Sequence, residues 1–101
     1  MVVVYSTFPN EKNAIEIGRK LLEERLIACF NLFHIKSGYW WEGKITEDTE
    51  VAALFKTKRE NLERVMEEIK RLHPYQVPAI FSFSPESVDE SYMKWLTENV
   101  L

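Results

Sequence analysis

Cysteine is almost missing from this sequence: Cys29 stands alone among 101 residues, so no disulfide can form within the chain. His34 and His73 are the only histidines, and with one thiol they are too few to close a Cys/His zinc site inside a single copy. Glycine is scarce, with three residues, and no glycine-rich phosphate loop is present. Neither sign of charge dominates. The formal net charge is −3, with acidic and basic residues interspersed, whereas a nucleic-acid partner calls for a concentrated basic surface. An apolar run long enough to cross a membrane is lacking, and so is a signal-peptide pattern. Together with the lone thiol, these absences lead us to expect a cytoplasmic protein. Glutamine occurs once, at Gln76, beside abundant lysine and glutamate, a lean seen in heat-adapted proteins. No Ser/His/Asp arrangement is signalled. The carboxylates are spread over helix surfaces, so no acid–base pair stands out and no enzyme is expected.

What is present is an ordinary globular balance, 46% hydrophobic and 29% charged, over a length that suits one domain, 1–101. Val2 to Phe8 is a β-branched and aromatic run ended by Pro9 and Asn10, apolar on successive residues as in a central strand. Asn10 is placed to cap a helix in which Ala14, Ile17, Gly18, Leu21 and Leu22 recur at helical spacing, up to about Arg25. Ile27 to Ile35 predicts a second strand, broken by Lys36-Ser37-Gly38 and resumed at Tyr39-Trp40-Trp41, with a tight turn at Glu42-Gly43-Lys44. Glu50 to Lys56 predicts a third strand, with Val51, Ala53 and Phe55 on one face and Ala52 and Leu54 on the other. Thr57 and Glu60 fit a capping box ahead of a stripe of Leu62, Val65, Met66, Ile69 and Leu72. Pro74 and Pro78 keep the next segment extended. Ala79 to Phe83 predicts the fourth strand, and Ser87 to Glu90 fits a second capping box before a short C-terminal helix. The order is that of an α+β, ferredoxin-like βαββαβ fold: an antiparallel sheet with two helices on one face plus a terminal helix.

Two helices cover one face of such a sheet, and the other face should then be polar. Here it is not. The second and fourth strands are apolar at consecutive positions, and Tyr39, Trp40 and Trp41 are adjacent, so they must point both ways. Each large aromatic hides about 150–250 Å², and several left bare would make an adhesive monomer. Self-association that covers the open face resolves this. The alternative is that the C-terminal helix, with Tyr92 and Trp95, covers the patch within one chain.

Several short stretches together have a family likeness. They are Arg25-Leu26-Ile27-Ala28-Cys29, then Ser37 to Ile45 reading Ser-Gly-Tyr-Trp-Trp-Glu-Gly-Lys-Ile. After these come Phe55-Lys56-Thr57, His73-Pro74-Tyr75-Gln76-Val77-Pro78 and Tyr92-Met93-Lys94-Trp95-Leu96. In this order and spacing the chain resembles the CutA family, the divalent-cation tolerance proteins, along essentially its whole length. The resemblance implies a ferredoxin-like subunit in a tight homotrimer, similar in architecture to PII signalling proteins. It also implies a cytoplasmic location and a link to copper-type divalent metal ions. The chain departs from the family's pattern at three places. Ser6 stands where some members carry a first-strand cysteine, and Gln76 and Ala79 stand where glutamates often follow the His-Pro-Tyr motif.

Within that frame, His73 is the best candidate ligand for Cu(II) or Zn(II), or else a cap for the C-terminal end of its helix. Cys29 is either a small buried hydrophobe or, where a three-fold axis gathers its copies, a thiolate ligand. His34 reads as an exposed edge residue. Tyr39, Trp40, Trp41, Tyr75 and Trp95 are expected in the oligomer interface, where aromatics dominate, although the first three could also stack a flat ligand. Glu50 and Lys56 flank an apolar strand and could bracket an intersubunit cleft, or form a surface ion pair. A PII-like signalling or adaptor module, binding a small ligand or a protein between subunits, is the second functional expectation.

Overall fold

In the computed structural model, which describes residues 1–101, the valine run forms β1, Val2–Phe8. It pairs antiparallel with β3 on one side and β4 on the other, so it is an inner strand of the sheet. The chain continues through α1 (Glu11–Glu23), β2 (Cys29–Trp41), β3 (Lys44–Thr57), α2 (Leu62–Leu72), β4 (Ile80–Phe83) and α3 (Glu90–Asn99). The sheet order is β2-β3-β1-β4, all antiparallel, which is the expected ferredoxin-like arrangement. Asn10 caps α1, its side chain accepting from the Asn13 N–H. At the other end Arg25 adopts a left-handed φ of 57°, and the Leu26 N–H closes back on the Leu21 carbonyl.

The core lies between the sheet and the two main helices. Val4 and Phe8 of β1, Val51, Ala53 and Phe55 of β3, Ile17 and Leu21 of α1, and Val65 and Ile69 of α2 form one buried cluster. The expected split of β3 holds, with Val51, Ala53 and Phe55 on this inner side.

Four local expectations are corrected. The second strand does not break at Lys36-Ser37-Gly38. It runs through them, because β3 offers a rung opposite each residue, Gly38 facing Glu47. Accordingly β3 begins at Lys44, not Glu50, and the two strands form a long ribbon closed by Glu42 (φ 50°) and Gly43 (φ 76°). Those angles are what a two-residue hairpin turn of matching twist requires. Thr57 does not cap a helix: it ends β3, buried, and donates from Oγ1 to the Leu26 carbonyl at 2.6 Å, while a single turn, Arg59–Asn61, leads into α2. Asp89, not Ser87, caps α3, accepting from the Tyr92 N–H.

The open side of the sheet stays open. Phe33, Phe81 and Phe83 are 44%, 50% and 48% exposed. Tyr5 and Phe81 lie across the β1–β4 pair with ring centroids 4.7 Å apart. The C-terminal helix does not hide them. Its Leu96 and the following Val100 pack on Ala28 and Met1, at one end of the molecule.

Candidate functional site

Beyond Phe8, β1 ends, and the β2–β3 ribbon continues unaccompanied for seven rungs, from Ile35–Glu50 to Trp41–Lys44. Alternation puts Tyr39 and Trp41 on the same side of this ribbon as Asp48 and Glu50. The segment after α2 that carries Pro74 and Pro78 lies across from them; it is not extended as the prolines suggested but bends at each of Pro74, Tyr75, Gln76 and Val77. Between the two is a cleft of about 570 Å³, bordered by Tyr39, Trp40, Trp41, Glu50, Tyr75 and Tyr5.

Glu50 is the centre of this cleft. It is only 6% exposed, and its Oε2 accepts a hydrogen bond from the Tyr75 hydroxyl at 2.7 Å. Its other carboxylate oxygen accepts no bond from the chain, and no lysine, arginine or histidine forms an ion pair with it. Burial, reinforced by the bond to Glu50, raises the Tyr75 pKa well above the ordinary phenol value. Tyr39 donates to Asp48 at 3.4 Å, and desolvation with the Asp48 and Glu50 charges raises its pKa as well. Both phenols are therefore held neutral beside a carboxylate with no cation.

His73 supports this cleft from below. Its ring stacks on Phe8, with centroids 4.5 Å apart and planes 14° from parallel. Nδ1 accepts the Tyr75 N–H at 3.1 Å, which leaves Nε2 as the protonated nitrogen donating to the Thr7 carbonyl at 2.8 Å. Burial lowers its pKa, outweighing the Thr7 bond and the Glu50 charge. In this subunit neither ring nitrogen has a free lone pair to offer a metal ion.

Cys29 lies elsewhere. It pairs with Lys56 at the opposite end of the sheet from Thr7, on the rung next to Val3. Its sulfur is 3.3 Å from the Tyr92 hydroxyl, and Lys56 Nζ donates to the same hydroxyl at 3.4 Å. The Tyr92 pKa is raised, first by its bond to Cys29 and then by burial. Trp95 stacks on Tyr92 at 5.6 Å between centroids.

The structure thus sorts the expected residues into two groups. Tyr39, Trp40, Trp41, Tyr75 and Glu50 share one cleft; Cys29, Lys56 and Trp95 gather around Tyr92 at the far end. Glu50 and Lys56 do not bracket one cleft within the chain, being six residues apart on β3, about 20 Å in an extended strand. His73 and Cys29 are not brought together, and no group of three or more His, Cys, Asp or Glu side chains is placed to hold a metal ion in the subunit. Ser6 is fully buried on the helix side of the sheet. His34 is exposed, 3.5 Å from Glu11. Sequence reading missed Tyr5 and Asp48. Asp48 was findable, two residues before Glu50 and so on the same strand face, had the strand been extended that far.

No helix is long and apolar enough to cross a membrane. The family model described as "CutA1 divalent ion tolerance protein" matches residues 2–99. The "Divalent-cation tolerance protein CutA" of Thermotoga maritima is 60% identical over 101 residues, covering all of both chains. That of Pyrococcus horikoshii is 51% identical over 98 residues, covering 97% of this chain and 96% of its own. Among solved structures, a point mutant of Pyrococcus horikoshii CutA1 superposes with a TM-score of 0.97 at 50% identity, covering 100% of this chain and 99% of that one. A CutA from Archaeoglobus fulgidus, described as periplasmic, superposes with a TM-score of 0.96 at 39% identity, covering both chains completely. The chain belongs to the CutA1 family of divalent-ion tolerance proteins.

Proposed function

We propose that this chain works as a cytoplasmic homotrimer in tolerance of divalent metal ions of the copper type, and that it does so without catalysing a reaction. The observation that carries the assembly is the bare sheet face, where Phe33, Phe81 and Phe83 stand about half exposed and α3 leaves them uncovered. Copies of the chain packing face to face bury these rings and shield the free edges of the sheet. What supports the metal role is the name carried by the relatives. The donor set of one subunit does not fit a resident ion, so Cu(II) or Zn(II) would be held where copies meet. Cys29 and His73 are the residues each copy has to offer, and His73 must give up a bond to Thr7 or Tyr75 to do so. Sedimentation equilibrium, followed by calorimetric titration of the assembled protein with Cu(II) and Zn(II), tests this reading. A monomer refutes the assembly. Affinity unchanged in both Cys29→Ser and His73→Ala refutes the ligands.

A second reading has its own observation. The 570 Å³ cleft around Glu50 has the size of a small-molecule site and includes several aromatic residues in its lining. It supports a PII-like signalling or adaptor role in which a small ligand governs the trimer. A thermal-shift screen against nucleotides and small metabolites tests it, and no stabilisation by any compound refutes it.

A further inference from the structure

A buried carboxylate without a cation is costly, and proteins seldom keep one idle. Glu50 is such a group: 6% exposed, bonded only by the neutral Tyr75 hydroxyl, with its second oxygen unclaimed on the border of the cleft. The aromatic residues around it are Tyr5, Tyr39, Trp41 and Tyr75, with the polar Thr7, Ser37 and Gln76 also on the lining, and no basic residue lines the cleft. Aromatic faces carry negative charge density and attract cations, most strongly when desolvated. Tyr39 and Tyr75 each donate a hydroxyl proton to a carboxylate, which pushes further electron density into their rings. We propose that this cleft binds an organic cation of the methylated ammonium class, with Glu50 as counter-ion and the surrounding rings as an aromatic cage.

The donor arithmetic favours this class. A primary ammonium brings three N–H donors, each needing an acceptor, and beside the one free Glu50 oxygen the cleft offers only the neutral side chains of Thr7, Ser37 and Gln76. A bare metal ion wants several oxygen, nitrogen or sulfur ligands at once, which this subunit does not gather. A trimethylammonium group asks for neither. It needs charge compensation and polarizable surface, and both are present.

The inference rests on the second reading above and names its ligand. The test titrates the full-length protein with tetramethylammonium and with choline, read by calorimetry and by tryptophan fluorescence. 3,3-Dimethylbutanol, the neutral isostere of choline, runs in parallel. The expected result is saturable binding of both cations with a change in tryptophan emission, and no binding of the alcohol. Glu50→Gln keeps an acceptor for Tyr75 and should weaken the cations about tenfold or more, the scale of a lost hydrogen-bonded charge. Trp41→Leu, at the cleft wall, should weaken them severalfold. Equal binding of the alcohol, or cation binding indifferent to Glu50→Gln, overturns the inference. So does a Glu50→Gln protein that no longer assembles, since a cation from a neighbouring copy would then already occupy the site. If some other compound class binds and ammonium does not, this inference fails and the small-ligand reading survives; if nothing binds, both fail.

Discussion

Replacing Ser6 by alanine should make this protein more stable. Ser6 is fully buried in the middle of β1, on the side that faces the helices, between Ala53 and Ile80 on the flanking strands. Its Oγ has no hydrogen-bond partner. A buried hydroxyl left unsatisfied costs about 1–3 kcal/mol in lost solvation. Ser6→Ala removes that cost and leaves a gap of about one oxygen atom, worth roughly 0.5 kcal/mol by the scaling for residual cavities. The net expectation is a gain of about 1–2 kcal/mol per subunit. For a domain near 100 residues each kcal/mol moves the midpoint by about 4–8 °C. The site lies in the subunit core, so a neighbouring copy does not reach it. Guanidinium unfolding of both proteins, at one fixed subunit concentration so that assembly contributes equally, gives the comparison. Ser6→Cys should fall on the same side of wild type, because a buried thiol behaves as a small hydrophobe. A Ser6→Ala protein less stable than wild type would show that the hydroxyl is satisfied, and would refute the reasoning.

Gly18→Ala should destabilise by about 1–2 kcal/mol, because the added Cβ would sit 2.6 Å from the Phe30 ring and overpacking outweighs the better helix propensity of alanine; denaturant midpoints measure it. His73 has a lowered pKa because the folded state disfavours its charge, so its contribution is present above the unfolded value near 6.5 and is lost as pH falls below it. Melting temperatures across pH 7.5 to 5 should fall in wild type and flatten in His73→Gln. Tyr75 has a raised pKa, so its contribution holds below about pH 10 and is lost as pH climbs beyond; Tyr75→Phe should show less of this alkaline decline. Phe81→Glu, placing a charge against Tyr5 on the bare face, should dissociate the assembly into monomers detectable by sedimentation, with the far-ultraviolet spectrum retained.

Where hydrophobic periodicity dominates, the sequence was easy to read. The Val51–Phe55 alternation and the α1 and α2 stripes each bury one side against a single core, and the pattern names that side, while the unbroken valine run marks β1 as an inner strand buried on both faces. The ribbon from Lys36 to Thr49 was only partly legible: Tyr39-Trp40-Trp41 reads as extended, but Lys36-Ser37-Gly38 and Thr46 to Thr49 carry no apolar residue to mark a strand. Its regularity comes from rungs such as Gly38–Glu47 and Ser37–Asp48, which exist only once the two strands have paired. The caps show a different limit. Ser87 and Asp89 both suit a helix start, and the structure uses Asp89, whose carboxylate takes both the Tyr92 N–H and the Ser91 hydroxyl. The state of His73 depended on Thr7, 66 residues away, and no local pattern reports such a contact. The cleft was half visible: the aromatic triplet and Glu50 stood out, while Tyr5 and Asp48 looked ordinary.

One step links the stiff connection after α2 to the chemistry of the cleft. Glu50 is the first β3 residue past the end of β1, since Phe8 pairs with Val51, so the sheet by itself would leave its carboxylate in water. What buries it is the His73–Pro78 segment. The two prolines restrict the backbone of that bent segment, and His73, locked between Phe8, Thr7 and the Tyr75 N–H, fixes where it starts. Tyr75 is thereby delivered onto Glu50 with little conformational freedom left to lose. The desolvation of Glu50 is therefore a property of the connection and not of the sheet. It follows that loosening the connection, by Pro74→Ala or by protonating His73, should hydrate Glu50 and weaken any cation held there, without disturbing the β2–β3 ladder that carries Trp41 and Tyr39.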